Sequence, residues 1–299
     1  MLQTFDERNR DLVVSVGGQL THRGQAGVSP FDSAVQGGDA VWEGLRLHQG
    51  RIFRLAEHLA RLRRSAKALA FAAVPSDEEI TAGIRQTLTA NQMTDGVHIR
   101  LTLTRGLKIT SGMDPRLNTG GPTLIVLAEH KAPVYDPAGI RLVTASVRRP
   151  PPDCLDPRIH HNNLLPSILA KIEANAAGAD DAVMLDHRGF VAETNATNIF
   201  LVSGGRLGTP APVACPEGIT RAAVLELAAA AGLDCETGDF SLSQFYAADE
   251  VFVTGTMGGL TPVIAIDGRP PGDGTPGPVT ARLTRLYTDL TARTGTPVV

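Results

Sequence analysis

Apolar and polar positions recur along the chain with two different periods, and the switches between those periods divide it into elements. In "RLAEHLARLRRSAKALAF" (54–71), Leu55, Leu59, Leu62 and Ala66 fall at helical spacing, with arginines on the other face. "PSDEEITAGIRQTLTA" begins with Ser76 and Glu79, the pair of a capping box, and continues with Ile80, Ile84 and Leu88 on one face. "HIRLTLTRG" (98–106) alternates strictly and "PTLIVLAE" (122–129) follows it, which predicts two adjacent strands.

The polar, proline-bearing stretch "HKAPVYDPAG" (130–139) then separates the two halves. Beyond it the pattern predicts a strand in "IRLVTASVRR", the loop "PPPDCLDPRIHHNN" and a helix in "PSILAKIEANAAG" stopped by Gly178. A hairpin follows, with "DAVMLD", a turn at His187, Arg188 and Gly189, and a long strand "FVAETNATNIFLV". A helix between Gly218 and Gly232 comes next, then a strand pair around the Gly-rich bend of "EVFVTGTMGGLTPVIAIDG". The closing amphipathic helix is "VTARLTRLYTDLTART". Strands are often consecutive, so the expected class is α+β in two domains: a smaller α/β domain over 1–130, a linker over 131–138, and a larger domain over 139–299.

Composition narrows the function. The 299 residues are 42% hydrophobic and 20% charged, as in soluble globular proteins. A net charge of -3 gives no electrostatic basis for a nucleic-acid partner. "MLQTFDERNRDLVVSV" has acidic residues and no long apolar run, so neither a signal peptide nor a membrane segment is expected, and the cytoplasm is the predicted location. Cys154, Cys215 and Cys235 are widely spaced and read as free thiols in a reducing compartment. The only lysines are Lys67, Lys108, Lys131 and Lys171, which makes the search for a catalytic amine short.

Several stretches carry candidate chemistry. Gly218 precedes a helix, which leaves the amides of Ile219 and Thr220, with the Thr220 hydroxyl, as a site for an anion such as phosphate; an ordinary capped helix accounts for the same residues. "TGTMGG" (254–259) offers a second set of amides and hydroxyls. Arg54 stands at a helix start, where it can meet a phosphate bidentately or simply face water. Glu193 and Asn198 lie among apolar neighbours, where a carboxylate needs a partner such as a protonated ring nitrogen, unless the strand is an edge open to water.

In this order and spacing the chain resembles the class IV aminotransferase family, the pyridoxal 5'-phosphate (PLP) enzymes of fold type IV. That family includes branched-chain and D-amino-acid aminotransferases. The resemblance is carried by "SPFDSAVQGGDAVWEGLRLHQGRIFRLAEHLARLRRSA", "VHIRLTLTRG", "NNLLPSILAKIEANAAGADDAVMLDHRGFVAETNATNIFLV", "EGITRAAVLELA", "TGTMGGLTPV" and "IDGRPPGDGTPGPVT". It implies that Arg54, Ile219, Thr220 and Thr256 bind the cofactor phosphate, that Glu193 pairs with the pyridine nitrogen, and that Asn198 sits near the ring hydroxyl. Arg100, His98 and the Met257 amide fall at substrate-facing positions, and a homodimer acting on a small amino acid or keto acid is implied; Phe31 and the Met257 side chain read as an apolar pocket lining or, equally, as ordinary buried packing.

One position departs from the family. The family's PLP-bound lysine stands after an isoleucine and three residues before an asparagine; in "IHHNNLL" that place is His160, after Ile159 and before Asn163. Lys171 lies eleven residues on, about 16 Å along a helix, and does not replace it. An imidazole cannot hold PLP as a neutral imine, so the expected cofactor is non-covalent PLP. His160, helped by His161, then moves protons near neutral pH. The alternatives are a PLP-independent enzyme, or a non-catalytic binding protein on the same fold.

Overall fold

The structure, a computed structural model, describes residues 3–299 and divides into two compact units. The smaller unit comprises residues 3–132, 159–163 and 291–299, and the larger comprises residues 133–158 and 164–290 within the described chain. One change of unit lies between residues 132 and 133, and the division is not a single cut. Residues 159–163 and the last nine residues pack with the first half.

In the smaller unit the strands are β1 (Val13–Val16), β2 (Gln19–His22), β3 (Ala40–His48), β4 (Arg51–Ile52), β5 (Val97–Thr104) and β6 (Thr123–His130), ordered β4-β3-β5-β6-β1-β2 in one sheet. Its helices are α1 (Ser33–Gly37), α2 (Leu55–Ala68) and α3 (Asp77–Ala90). The alternation of β5 decides its facing: Val97, Ile99, Leu101 and Leu103 are fully buried, and they join Leu59, Leu62, Ile80, Ile84 and Leu88 in one core. The capping box of α3 forms as its sequence predicts, with Ser76 Oγ accepting from the Glu79 amide and Glu79 accepting from the Ser76 amide. Gly106 allows the chain to leave β5, because a Cβ there would lie 1.8 Å from the Gly121 carbonyl oxygen.

The larger unit contains β7 (Ile140–Thr144), α4 (Pro152–Leu155), α5 (Leu165–Ala176), β8 (Asp181–Leu185), β9 (Val191–Thr194), β10 (Asn198–Ser203) and β11 (Arg206–Pro210). It continues through α6 (Ile219–Ala230), β12 (Cys235–Gly238), α7 (Leu242–Tyr246), β13 (Glu250–Gly255), β14 (Gly259–Ile266) and α8 (Pro278–Arg293), whose last residues belong to the smaller unit. Its eight strands form one sheet in the order β12-β11-β10-β13-β14-β7-β8-β9. The final strand, β15 (Thr296–Pro297), pairs with β4 and makes the smaller sheet seven-stranded.

Both faces of the larger sheet are covered, and period-two alternation sorts the residues between them. Ile199, Leu201, Val251 and Val253 pack with Phe240 and Phe245 on one face; Phe200, Val202 and Phe252 pack with Val224, Ala228 and Leu283 on the other. One expectation is corrected: "FVAETNATNIFLV" is two strands, so Glu193 lies on β9 and Asn198 on β10. Local polar groups break the run. Thr194 Oγ1 accepts from the Ala196 and Thr197 amides, while the Asn195 side chain accepts from the Ala182 amide.

Candidate active site

In the larger unit the candidate residues gather where β9, β10 and β13 meet the start of α6. Glu193 is buried and forms an ion pair with Arg149 at 2.7 Å. Arg149 is itself buried, and its Nε donates to the Ala214 carbonyl at 3.2 Å and its Nη1 to Ser167 Oγ at 3.2 Å. A carboxylate taken out of water needs such a partner, since an uncompensated buried charge costs several kcal/mol. Asn198 Nδ2 donates to Glu193 Oε2 and to the Pro216 carbonyl, each at 3.3 Å, which ties β10 to β9 and to the turn ahead of α6. Glycine at 218 leaves room for that Asn198 side chain, because a Cβ there would lie 1.9 Å from Asn198 Oδ1 and would force it to shift.

Gly218 is the N-cap of α6 and no side chain caps this helix end, so the first amides, at Ile219 and Thr220, are not tied up by a cap. Thr220 is buried beside them. Thr254, opposite Asn198 in the β10–β13 register, is also buried, and its hydroxyl has no hydrogen-bond partner among the described residues. Thr256 and Met257 follow in the bend after β13, both half-buried.

The smaller unit holds the other candidates. Arg54 precedes α2 with φ 50° and ψ 42°, a left-handed conformation uncommon for a residue with a side chain and shared in this chain by Gln49, Ala70, Gln92 and Asp267. His98 and Arg100 project from β5 on the face opposite the core residues Val97 and Ile99. The Arg100 guanidinium lies 3.5 Å from the centre of the Trp42 ring, and its Nη2 donates to Asn162 Oδ1 at 2.9 Å. Burial pushes the Arg100 pKa down to about 10. Burial, aided by the charges of Lys131, Arg100 and Arg46, lowers that of His98 to about 4, so His98 is neutral near pH 7. Phe31 is exposed.

His160 sits inside a polar cluster that the sequence reading did not identify. Its amide donates to Ser65 Oγ at 3.0 Å, and its carbonyl accepts from the Trp42 amide at 3.0 Å. The ring stacks on Trp42 with centroids 4.2 Å apart, and Nδ1 lies 2.5 Å from the Trp42 carbonyl and 3.6 Å from Glu43 Oε1. Glu43 is fully buried and receives Arg61 Nε at 2.8 Å, Arg61 Nη2 at 2.7 Å and His58 Nδ1 at 2.7 Å. Burial alone would raise the Glu43 carboxyl, but Arg61, joined by His160 and His58, holds it well below the ordinary carboxylate range. Burial, and then the charge of Arg61, lower the pKa of His160. His161 is buried next to it; its Nδ1 accepts from the Asn163 amide at 3.1 Å and its carbonyl from Trp42 Nε1 at 3.1 Å.

Arg61 is a correction to the reading of α2, in which all the arginines were placed on the outer face: it is buried, whereas Arg64 is exposed. A signal for the cluster was present. His58 and Arg61 fall on the stripe of Leu55, Leu59 and Leu62, and Glu43 falls in register with Val41, Leu45 and Leu47, positions where charge demands a buried partner. Of the four lysines, Lys131 lies near enough to His98 for its charge to lower that imidazole's pKa. Lys171 Nζ binds the Asp180 carbonyl and Asp181, Lys108 Nζ donates to the Gly112 carbonyl of its own loop at 2.5 Å, and Lys67 is exposed on α2.

The two-sheet α+β architecture is that of the fold type IV transaminases, as comparison with known proteins shows. The pattern of the family described as amino-transferase class IV matches residues 40–266. The chain therefore belongs to the class IV aminotransferase family. It is 57% identical over 97% of its length to branched-chain-amino-acid aminotransferase-like protein 2 of Arabidopsis thaliana, of which the match covers 52%; the chain thus spans about half the length of that relative. It is 40% identical to a putative branched-chain-amino-acid aminotransferase of Methanocaldococcus jannaschii, with 95% of this chain and 98% of that protein covered. The crystal structure of the branched-chain aminotransferase from the thermophilic archaeon Thermoproteus uzoniensis with norvaline superimposes with a TM-score of 0.88 at 29% identity, covering 97% of this chain and 100% of that one.

Three features of the larger unit fit a phosphorylated pyridine cofactor. They are the uncapped start of α6, the unpartnered buried hydroxyl of Thr254, and the Glu193 carboxylate backed by Arg149.

Proposed function

We propose that this chain is an aminotransferase-type enzyme that binds PLP without a covalent link and acts on the amino group of a small amino acid or amine, with His160 in the place of the lysine. The residues proposed for the phosphate are Ile219, Thr220 and Thr256 in the larger unit and Arg54 in the smaller. Glu193 is proposed for the pyridine nitrogen and Asn198 for the ring's hydroxyl side. His98, Arg100, Phe31 and Met257 are proposed to meet the substrate. Bound PLP supplies an electron sink for the carbon that carries the amino group.

The observation that carries this reading is the hydrogen-bonding state of His160. An imidazole nitrogen 2.5 Å from a carbonyl oxygen carries the proton there, so in the neutral ring Nε2 is the nitrogen with the lone pair. Nε2 then takes a proton from the substrate and returns it, and the neighbouring His161 is proposed to share that transfer. Without a lysine amine at position 160 the chain itself would offer no residue there to hold PLP between turnovers, and turnover is expected to be slow.

The test is an absorbance spectrum with PLP before and after borohydride, followed by peptide mapping. PLP retained with no reducible adduct on any lysine is the expected result. A reducible lysine adduct overturns the histidine assignment, and absence of binding favours an enzyme or binding protein that does not use PLP. His160→Lys is expected to place a borohydride-reducible PLP adduct at residue 160.

The same reading includes a homodimer and a cytoplasmic location. For the first, α5 exposes Leu165, Ile168, Leu169 and Ile172 at helical spacing, an apolar stripe suited to a second copy of the chain. Ile168→Glu is expected to yield a monomer in sedimentation velocity where the unaltered protein is a dimer. For the second, all three cysteines are free and, among the described residues, no helix is long and apolar enough to cross a membrane.

A further inference from the structure

We propose that Glu43 and Arg61 form a positioning pair for His160, in which Glu43 with the Trp42 carbonyl holds the ring proton on Nδ1 while Arg61 cancels the Glu43 charge, so that the ring stays neutral and Nε2 stays open to accept a proton. This inference rests on the proposed role of His160 and extends it to residues that touch neither substrate nor cofactor.

The geometry sets two opposing demands. Orienting the ring calls for acceptors on the Nδ1 side, and it has two: the Trp42 carbonyl at 2.5 Å and the Glu43 carboxylate at 3.6 Å. A bare carboxylate that close to an imidazole stabilises the doubly protonated ring, which closes Nε2 as an acceptor. Arg61 removes that difficulty. It binds both oxygens of Glu43, at 2.8 Å and 2.7 Å, and so matches the acid charge for charge. His58 takes a further bond on Oε2 at 2.7 Å. The carboxylate thus serves as an oriented acceptor without adding net negative charge beside the ring. Other groups contribute where the elements pack. From β5, the Arg100 guanidinium lies on the Trp42 ring that His160 stacks against. From the segment of His160 itself, His161 has its Nδ1 turned to the Asn163 amide. Burial of the ring and the charge of Arg61 act in the same sense, lowering the pKa of His160.

The sequence separation explains how such a device is assembled. Glu43 comes from β3, His58 and Arg61 from α2, and His160 from the 159–163 segment that crosses back to the smaller unit. All four groups lie in one compact unit, so their geometry is set by a single core.

The experiment is a nitrogen-15 NMR titration of the histidine rings in the full chain without added PLP, with His160 assigned by difference against His160→Gln. The expected wild-type signal at pH 7 is a neutral ring protonated on Nδ1. Arg61→Gln is expected to convert His160 to imidazolium at pH 7, and Arg61→Lys to read as the wild type. With PLP and substrate supplied, Arg61→Gln is expected to move the acid limb of the kcat profile to higher pH and to lower the rate at pH 7 about tenfold. A wild-type ring protonated on Nε2, or already an imidazolium, overturns the inference and requires no variant. An Arg61→Gln spectrum identical to the wild type overturns it as well. Because the titration contains no cofactor, a failure of PLP binding would overturn the proposed function and leave the NMR result intact.

Discussion

Two buried carboxylates, Glu193 in the larger unit and Glu43 in the smaller, solve the same problem in different ways. Each meets a guanidinium at 2.7 Å. Glu193 has Arg149 as its cationic partner, and its surroundings include a buried hydroxyl on Thr254 left without a protein partner among the described residues. Glu43 has Arg61, His58 and His160 around it, and both of its oxygens are bonded within the protein. Both oxygens of Glu193 are bonded as well, Oε1 to Arg149 and Oε2 to Asn198, so the two acids differ in what lies beside them: the unpartnered Thr254 hydroxyl near the first, the His160 ring beside the second.

Removing one member of each pair separates these two cases most strongly. Arg149→Met leaves the Glu193 charge buried without its guanidinium and is expected to cost about 3–5 kcal/mol in urea unfolding. Replacing Glu193 as well with Met is expected to recover most of that loss while abolishing PLP binding, since burying no charge is easier than burying one alone. If the single substitution costs less than about 1 kcal/mol, the pair is not buried in solution and the comparison collapses.

The next effect is a pH dependence in the smaller unit. The folded-state pKa of His98 is about 4, below its unfolded value of 6.5, so the folded form binds fewer protons. The resulting stability is fully present above about 6.5 and is lost as pH falls toward 4, amounting to about 3 kcal/mol at most. His160, shifted in the same direction, adds to the same trend. Unfolding of wild type and His98→Gln followed in parallel from pH 7.5 to 4 is expected to show a shallower acid loss in the variant. Equal slopes would mean that His98 is solvated in the folded chain.

The smallest effect serves as a control. Ser76→Ala removes the capping box of α3, which touches neither acid, and is expected to cost about 1 kcal/mol in thermal unfolding with no change in PLP binding or in the His160 ring signals. A change in either would show that the two clusters respond to global stability and not to their local partners.

The sequence by itself determined much of this molecule. The spacing of Leu55, Leu59 and Leu62, the alternation of β5 and the capping box at Ser76 each depend on near neighbours, and each appears where the pattern placed it. The family was equally legible, because its blocks occur in order along almost the whole chain. The proposal that His160 stands in the lysine's place rests on the same blocks. What only the tertiary structure decided is which charges meet. Arg149 and Glu193 are 44 positions apart, and Glu43 and His160 are 117 apart, so no local period links them. The split of "FVAETNATNIFLV" into β9 and β10 depends on Thr194 and Asn195 finding backbone amides, one of them across the sheet at Ala182. The placement of residues 159–163 with the smaller unit was likewise set by long-range bonds to Ala40, Trp42 and Ser65. Hydrophobic periodicity is a property of neighbours and is written in order along a chain. The pairing of a buried charge is a property of a place in the fold, and it exists only once distant segments have been brought there.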